Sequence, residues 1–473
     1  MRTYDKLYLD GAWVSPTVAA PPTEVYSAAD GSVIATVPAG SPADIDNAVA
    51  AGRTAFATWS VTTPAERAAL ITAIADALEA RADELAEMTA LEVGMPRKLA
   101  RRVQIGGPVM VLRSFAEMLG TYEFSREVNN SLVVREAAGV VAAITPWNYP
   151  LNQVIAKVGP ALAAGCTVVL KPSDEAPSPV FAFAECCNSA GLPAGVFNLV
   201  SGGDEVGKAL AAHTGVDVVS FTGSTAAGAH VAQAAGKNIN RVALELGGKS
   251  ANVILDDADL EKAVTSGVNN AMLNSGQTCA AWTRMLVPAQ LHDEAVAIAE
   301  KAIAKLTLGH PLEDGTRLGP LASADQQARV RSYIDIGIAE GATLVAGGSD
   351  VPADLPAGGY YVRPTVFADV KPSMRIAREE IFGPVLSILP YSDEEEAVAI
   401  ANDTDYGLHG AVWSGDSDRA MKVARRLRTG QVDVNGGAWN PLAPFGGYKK
   451  SGLGREYGEA ALEEYLETKS IQR

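Results

Sequence analysis

The chain has 473 residues, 48% of them hydrophobic, enough to fill the cores of two or three domains. Its 39 Lys+Arg against 55 Asp+Glu leave a net charge of -16, which argues against nucleic acid and anionic membrane as partners and favours a small-molecule ligand. No apolar run reaches the roughly 18 residues of a spanning helix, and residues 1–14 alternate polar and apolar instead of building a signal peptide.

Residues 41–90 are Ala-rich, with apolar positions at helical spacing and start signals at Ser41-Pro42 and Thr62-Thr63-Pro64, which predicts two long helices; a third runs from about 97 to 119. Residues 127–137 alternate about an Asn129-Asn130 turn, a hairpin with little core of its own that must dock elsewhere. From 139 to 247, β-branched runs at 140–144, 167–170, 196–200, 216–221 and 241–246 alternate with helical segments. That rhythm predicts a doubly wound parallel sheet. A second α/β alternation follows Gly248, with strands near 251–255, 284–287, 385–389 and 411–413. The tail is helical over 456–467 and ends in a strand to Ile471. The two α/β halves are expected to leave a cleft between them.

Four cysteines (Cys166, Cys186, Cys187, Cys279) are too few and too irregularly spaced for a disulfide framework or a zinc site, which points to a reducing, cytoplasmic compartment. Five histidines are scattered without ligand spacing, so no transition-metal site is predicted.

Cys279 follows the small and polar run Asn274-Ser275-Gly276-Gln277-Thr278 at a junction between a helical pattern and a β-rich run, where a thiol can be exposed and activated. The alternative is a buried small hydrophobe, the fate of most free cysteines. Phe221-Thr222-Gly223-Ser224-Thr225 ends a strand in glycine and offers a helix cap, so backbone N–H groups there would face an anion, although the GxGxxG pattern is absent. Lys171-Pro172-Ser173-Asp174 ends a strand of the same sheet with groups that suit ribose hydroxyls, or else forms a solvated loop. Pro146-Trp147-Asn148-Tyr149-Pro150 holds an Asn amide rigidly between two prolines, either an oxyanion donor or a plain turn. Glu245 is a carboxylate at the end of an apolar strand, either a general base with a raised pKa or an exposed strand end.

Together these segments resemble the aldehyde dehydrogenase superfamily, of the hydrolytic type that does not acylate coenzyme A. The resemblance spans nearly the whole chain in the family's order: Pro146-Trp147-Asn148, Lys171-Pro172-Ser173, Phe221-Thr222-Gly223-Ser224, Leu244-Glu245-Leu246-Gly247-Gly248-Lys249, Gly276-Gln277-Thr278-Cys279, Glu380-Ile381-Phe382-Gly383-Pro384 and Pro444-Phe445-Gly446-Gly447. It implies a doubly wound cofactor domain (1–118 and 137–247), a second α/β catalytic domain (248–450) and a small β oligomerisation element (119–136 and 451–473) serving a homodimer or homotetramer. It implies oxidation of an aldehyde to the acid through a Cys279 thiohemiacetal and thioester, with Asn148 and the Cys279 N–H on the oxyanion and Glu245 activating the hydrolytic water. Glu456 and Lys157 match proton-handling positions. For the cofactor, it assigns Lys171 and Asp174 to the adenine ribose, Ser224 to the pyrophosphate, and Ile144 and Trp147 to the pocket wall, with Ser173, Thr145 and Pro146 also among the cofactor residues. Phe221, Gly223, Leu246 and Gly247 adjoin these, Glu380 takes the nicotinamide ribose and Phe382 packs on the ring. Many NAD-specific members carry Glu where this chain has Asp174; the shorter carboxylate still repels a 2′-phosphate, which favours NAD while leaving NADP open.

For the substrate, the resemblance assigns Tyr149, Asn152, Ala156, Trp282 and Trp439 to the tunnel, with Ala156 opening a roomier entrance. This points to a medium-sized apolar or aromatic aldehyde. A carboxylated semialdehyde would require an Arg clamp, for which Arg102, Arg113 and Arg284 are the candidates. Two other classes compete: a cysteine hydrolase, which lacks a His base in a suitable motif, and a catalytically silent binding protein, against which the retention of Cys279, Glu245 and Asn148 argues.

Overall fold

The computed structural model describes residues 1–473. Its first sheet has a parallel core of Arg241–Glu245, Val218–Thr222, Val140–Ile144, Thr167–Lys171 and Phe197–Leu199, in that spatial order. Antiparallel pieces finish both edges: Gly452–Leu453 on Arg241–Glu245, and the hairpin Leu7–Leu9/Ala12–Val14 on Phe197–Leu199. Along Val140–Ile144, Val141 and Ala143 enter one hydrophobic core while Val140, Ala142 and Ile144 enter another. The run therefore reads as continuously apolar because helices cover both faces of the sheet.

The second sheet runs Thr343–Ala346, Thr365–Ala368, Val385–Tyr391, Arg284–Pro288, Ala251–Ile254, Gly410–Trp413 and Asp433–Val434, parallel except for the first pair. It too divides its side chains, with Leu286 in one core and Met285 and Val287 in the other. The predicted strands all form. The edge strands escape sequence reading because they are short and paired on one side only.

The helical amino-terminal region departs from the expected pair. Residues 42–93 form three helices, Pro42–Trp59, Pro64–Ala80 and Ala82–Val93, because the backbone leaves helical geometry at Arg81. Thr63 starts the second with a capping box: its hydroxyl accepts from the Glu66 N–H at 3.2 Å, and Glu66 accepts from the Thr63 N–H at 2.7 Å. The predicted helix over 97–119 is interrupted by a π-helical stretch, Arg101–Gly106. Such a bulge is frequent at functional sites, and this one borders the cavity described below.

The hairpin Ser125–Val128/Ser131–Ala137 turns at Asn129, and Leu466–Gln472 pairs antiparallel along the length of its second strand. The result is a separate three-stranded sheet with Ser125–Val128 as an exposed edge. No helix is long and apolar enough to cross a membrane.

Val140–Ile144 lies between Val218–Thr222 and Thr167–Lys171: the chain runs from it outward through Thr167–Lys171 to Phe197–Leu199, then crosses back to Val218–Thr222 on its other side, so the strand order reverses there. The crevice at its carboxyl end is where ligands of open α/β sheets bind. The segments 145–149 and 223–224 begin there.

Candidate active site

Cys279 ends a turn of unusual backbone. Asn274, Ser275 and Gly276 have φ of 52°, 56° and 72°, three successive left-handed residues, two of them not glycine. The surroundings hold this strained turn. Gln277 is fully buried: its Nε2 donates to Asn274 O at 3.1 Å, and its Oε1 accepts from the Ala322 N–H at 2.9 Å. A Cβ on Gly276 would lie 2.0 Å from Gly383 O, against rigid backbone. Gly276→Ala is therefore expected to cost about 3 kcal/mol, from positive φ plus overpacking, and to lower the urea midpoint without changing the denaturant slope.

Asn148, 4% exposed, reaches this turn from the other half of the molecule. Its Nδ2 donates to Gln277 O at 3.0 Å, which leaves one amide hydrogen free, while Gln104 Nε2 and Asn274 Nδ2 donate to its backbone carbonyl at 2.9 and 3.0 Å. The Cys279 N–H donates to no protein acceptor. Asn148, bonded to Gln277 two residues before Cys279, and the Cys279 backbone thus each keep one uncommitted donor.

Glu245 is 3% exposed, and neither carboxylate oxygen has a hydrogen-bond partner in the protein. Burial, and then the nearby Glu456 carboxylate, hold its pKa well above the ordinary carboxylate value; Lys157 and the Cys279 thiol pull the other way. Burial followed by Glu245 and Glu380 likewise pushes up the Cys279 thiol. Beneath them, the buried Lys157 ammonium donates to Thr222 Oγ1 and Glu456 Oε1, each at 2.6 Å. Thr222 and Glu245 pair across adjacent strand ends, so the sheet brings the three groups together. Glu456 arrives through an isolated bridge with Phe445.

The crevice suits a dinucleotide. Ser224 caps the helix Thr225–Gly236, its Oγ accepting from the Ala227 N–H at 3.2 Å. Gly223 abuts the Phe221 ring, and Gly228 of that helix packs on Leu246. Ile144 and Phe221 are buried at their strand ends, and Thr145 Oγ1 is buried without a partner. On the next strand, Lys171 Nζ lies 3.7 Å from Asp174 Oδ1, which makes no hydrogen bond; burial raises the Asp174 pKa. Ser173 turns its hydroxyl to Glu175 at 2.7 Å instead of into the crevice. Glu380 accepts from the Gly248 N–H at 2.9 Å, and burial pushes its pKa up to about 7. A Cβ on Gly247 would lie 2.2 Å from the Glu380 carboxylate. The Phe382 ring, on a residue with φ of 63°, meets Trp147 edge-on at 5.5 Å, beyond Pro146. Unpaired buried polar atoms and a capped helix start at one switch point are what a pyrophosphate with two riboses requires.

A cavity of about 440 Å³ opens at Cys279 and is lined by Tyr149, Asn152 and Trp439 as predicted. Tyr149 hydrogen-bonds Thr278 at 2.7 Å, and Asn152 accepts from the Tyr457 hydroxyl at 2.6 Å. Two predicted wall residues are not on it. Ala156 is 1% exposed in the core, since its helix Pro150–Ala164 is packed on all sides. Trp282 is 4% exposed and sits behind His409. Of the three arginines, Arg102 lines the cavity; Arg113 pairs with Asp76 and Glu79, and Arg284 donates to Lys249, Ile400 and Ala401 carbonyls. Sequence reading missed Met110, Asn270, His409, Gln431 and Asp433, which come from distant elements without a local signal.

The sequence model of the "Aldehyde dehydrogenase family" matches residues 13–471. The chain belongs to the aldehyde dehydrogenase family. Among relatives, it is 49% identical over 473 residues to a 3-succinoylsemialdehyde-pyridine dehydrogenase from Pseudomonas sp., covering 100% of this chain and 99% of that one. Among solved structures, it is similar to aldehyde dehydrogenase C from Pseudomonas syringae, a cysteine-to-alanine variant in complex with NAD+ and octanal (TM-score 0.98, 49% identity, 99% and 96% of the two chains). It is also similar to a Mycobacterium tuberculosis aldehyde dehydrogenase with NAD+ (TM-score 0.97, 42% identity, 100% and 98%). As an aldehyde dehydrogenase, the protein is an NAD(P)-dependent oxidoreductase that takes an aldehyde to its carboxylic acid, and its predicted fold class and cofactor hold.

Proposed function

We propose that this aldehyde dehydrogenase works through Cys279, with Asn148 as oxyanion donor, Glu245 as base, and Lys157 and Glu456 as the proton path behind it. The observation that carries the reading is the orphaned Glu245 carboxyl buried beside a thiol that burial keeps protonated. Glu245, in its ionised form, takes the Cys279 proton, and the thiolate attacks the aldehyde carbon. The oxyanion of the thiohemiacetal is held by the free Asn148 amide hydrogen and the Cys279 N–H. NAD, when bound, supplies the hydride acceptor. The resulting thioester is hydrolysed by water that Glu245 deprotonates, and Lys157 with Glu456 passes the proton on. Asn148→Ala is expected to lower kcat by about 10²- to 10³-fold with a smaller change in KM, measured by NADH absorbance; a change in KM alone would remove the oxyanion role.

Lys171, Asp174, Ser224, Glu380 and Phe382 are the residues that would hold NAD. The Asp174 carboxylate, near the adenine ribose in this reading, opposes a 2′-phosphate. Ser173, already paired with Glu175, contributes little. A division into domains at 1–118 with 137–247, 248–450, and 119–136 with 451–473 is supported by the separate sheets, although Gly452–Leu453 also closes the cofactor sheet. The exposed Ser125–Val128 edge supports assembly into a dimer or tetramer. Three buried free cysteines fit a reducing, cytoplasmic setting.

The substrate is a medium-sized apolar or aromatic aldehyde, supported by the cavity's Met110, Tyr149, Trp439 and Phe445 walls and by relatives whose names cite octanal and a pyridine-bearing semialdehyde. A carboxylated semialdehyde is the second reading, carried by the unpaired Arg102. Comparing kcat/KM across alkyl, aryl and carboxylated aldehydes separates the two.

A further inference from the structure

We propose that the hydrogen bond between Tyr149 and Thr278 sets the two oxyanion donors, the Asn148 amide and the Cys279 N–H, in register with each other. Tyr149 and Thr278 are then positioning residues, and the inference rests on the roles proposed above for Cys279 and Asn148.

The bond joins the residue after one donor to the residue before the other. Tyr149 Oη lies 2.7 Å from Thr278 Oγ1, across 129 positions of sequence. Thr278 has a single hydroxyl hydrogen, and the Leu273 carbonyl, 3.2 Å away, can only accept it. The Tyr149 phenol is therefore the donor and Thr278 Oγ1 the acceptor. Burial raises the pKa of the phenol above its usual value, so the donor hydrogen stays in place.

Both ends are anchored. Tyr149, 8% exposed, directly precedes the enclosed helix Pro150–Ala164, and its carbonyl accepts from the Gln153 N–H at 2.9 Å. On the other side, the Thr278 carbonyl accepts from the Ala281 N–H at 3.1 Å and closes a turn around Cys279 and Ala280. The Cys279 N–H belongs to the planar peptide that Thr278 begins, so a fixed Thr278 restricts the direction of that N–H. The bond from Asn148 Nδ2 ends at the Gln277 carbonyl, one peptide short of it. Tyr149 spans the remaining step. Two donors that serve one oxygen need a common focus, and a misplacement of about 1 Å can cost about 10²-fold in rate. Tyr149 also walls the cavity, a role that its ring fills without the hydroxyl.

The test reads single-turnover NADH formation from hexanal by stopped-flow absorbance, with enzyme in excess and NAD saturating. Tyr149→Phe keeps the ring and should slow this step about 10-fold while leaving the KM for hexanal within about 3-fold of wild type. Thr278→Val should slow it at least as much, and Thr278→Ser, which keeps the hydroxyl, should restore most of the rate. Tyr149→Phe combined with Thr278→Val should be no slower than Thr278→Val alone, because the two side chains share one bond. In an Asn148→Ala background, with one donor already gone, Tyr149→Phe should change the rate by less than about 3-fold. A Tyr149→Phe rate within 2-fold of wild type overturns the proposal. So does a full 10-fold fall in the Asn148→Ala background, the signature of a phenol that acts on something other than donor alignment. If Asn148→Ala or Cys279→Ala alone forms NADH at the wild-type rate, the roles given to those residues fail and the proposal with them.

Discussion

Cys279→Ala is expected to lower NADH formation by about four orders of magnitude or more while leaving NAD binding near its wild-type strength. The sulfur is the atom that carries the acyl group, so its loss removes the covalent route instead of weakening it. No other thiol can take its place. Cys166, Cys186 and Cys187 are buried in the core away from the cavity, and burial raises the pKa of each. The strained turn at 274–276 precedes the side chain and is held by Gln277, so the substitution leaves its bonding intact. Quenching of protein fluorescence on NAD titration measures cofactor binding, and NADH absorbance measures turnover. Residual activity within tenfold of wild type would refute the nucleophile assignment.

Glu245→Gln is expected to give a burst of NADH followed by a steady rate about 10²- to 10⁴-fold below wild type. The amide cannot accept a proton, so hydrolysis fails while a fraction of thiolate still completes the first half-reaction. pH carries the same information. Because burial and Glu456 raise the Glu245 pKa, the carboxyl keeps its proton to a higher pH than an ordinary glutamate, and its base form is lost as pH falls. The wild-type steady rate should therefore rise with pH through that titration, and the Gln variant should lose this limb. A variant with no burst and an unchanged steady rate would remove Glu245 from the water-activating role.

The strands and catalytic segments were legible because their causes are local. A buried parallel strand reads as an apolar run, and Pro146-Trp147-Asn148 or Gly276-Gln277-Thr278-Cys279 carry their turn chemistry within a few residues. Ala156 was misread because the helix Pro150–Ala164 is covered on every side, so no hydrophobic stripe tells a tunnel face from a core face. Trp282 was misread by one layer: His409 stands between it and the cavity. His409 and Asp433 themselves gave no signal, since the second sheet brings residues about 130 and 150 positions past Cys279 to its side, a consequence of strand order alone. The break at Arg81 and the π-helical turn at 101–106 were hidden because helical periodicity continues through both.

The covalent intermediate tests the account most directly. Glu245→Gln enzyme mixed with NAD and excess aliphatic aldehyde, quenched in acid within the burst and digested, should yield the Cys279 peptide heavier by the mass of the acyl group, in amount matching the NADH released. NADH formed in the burst without an acyl group on that peptide, or with the acyl group on another residue, would contradict it.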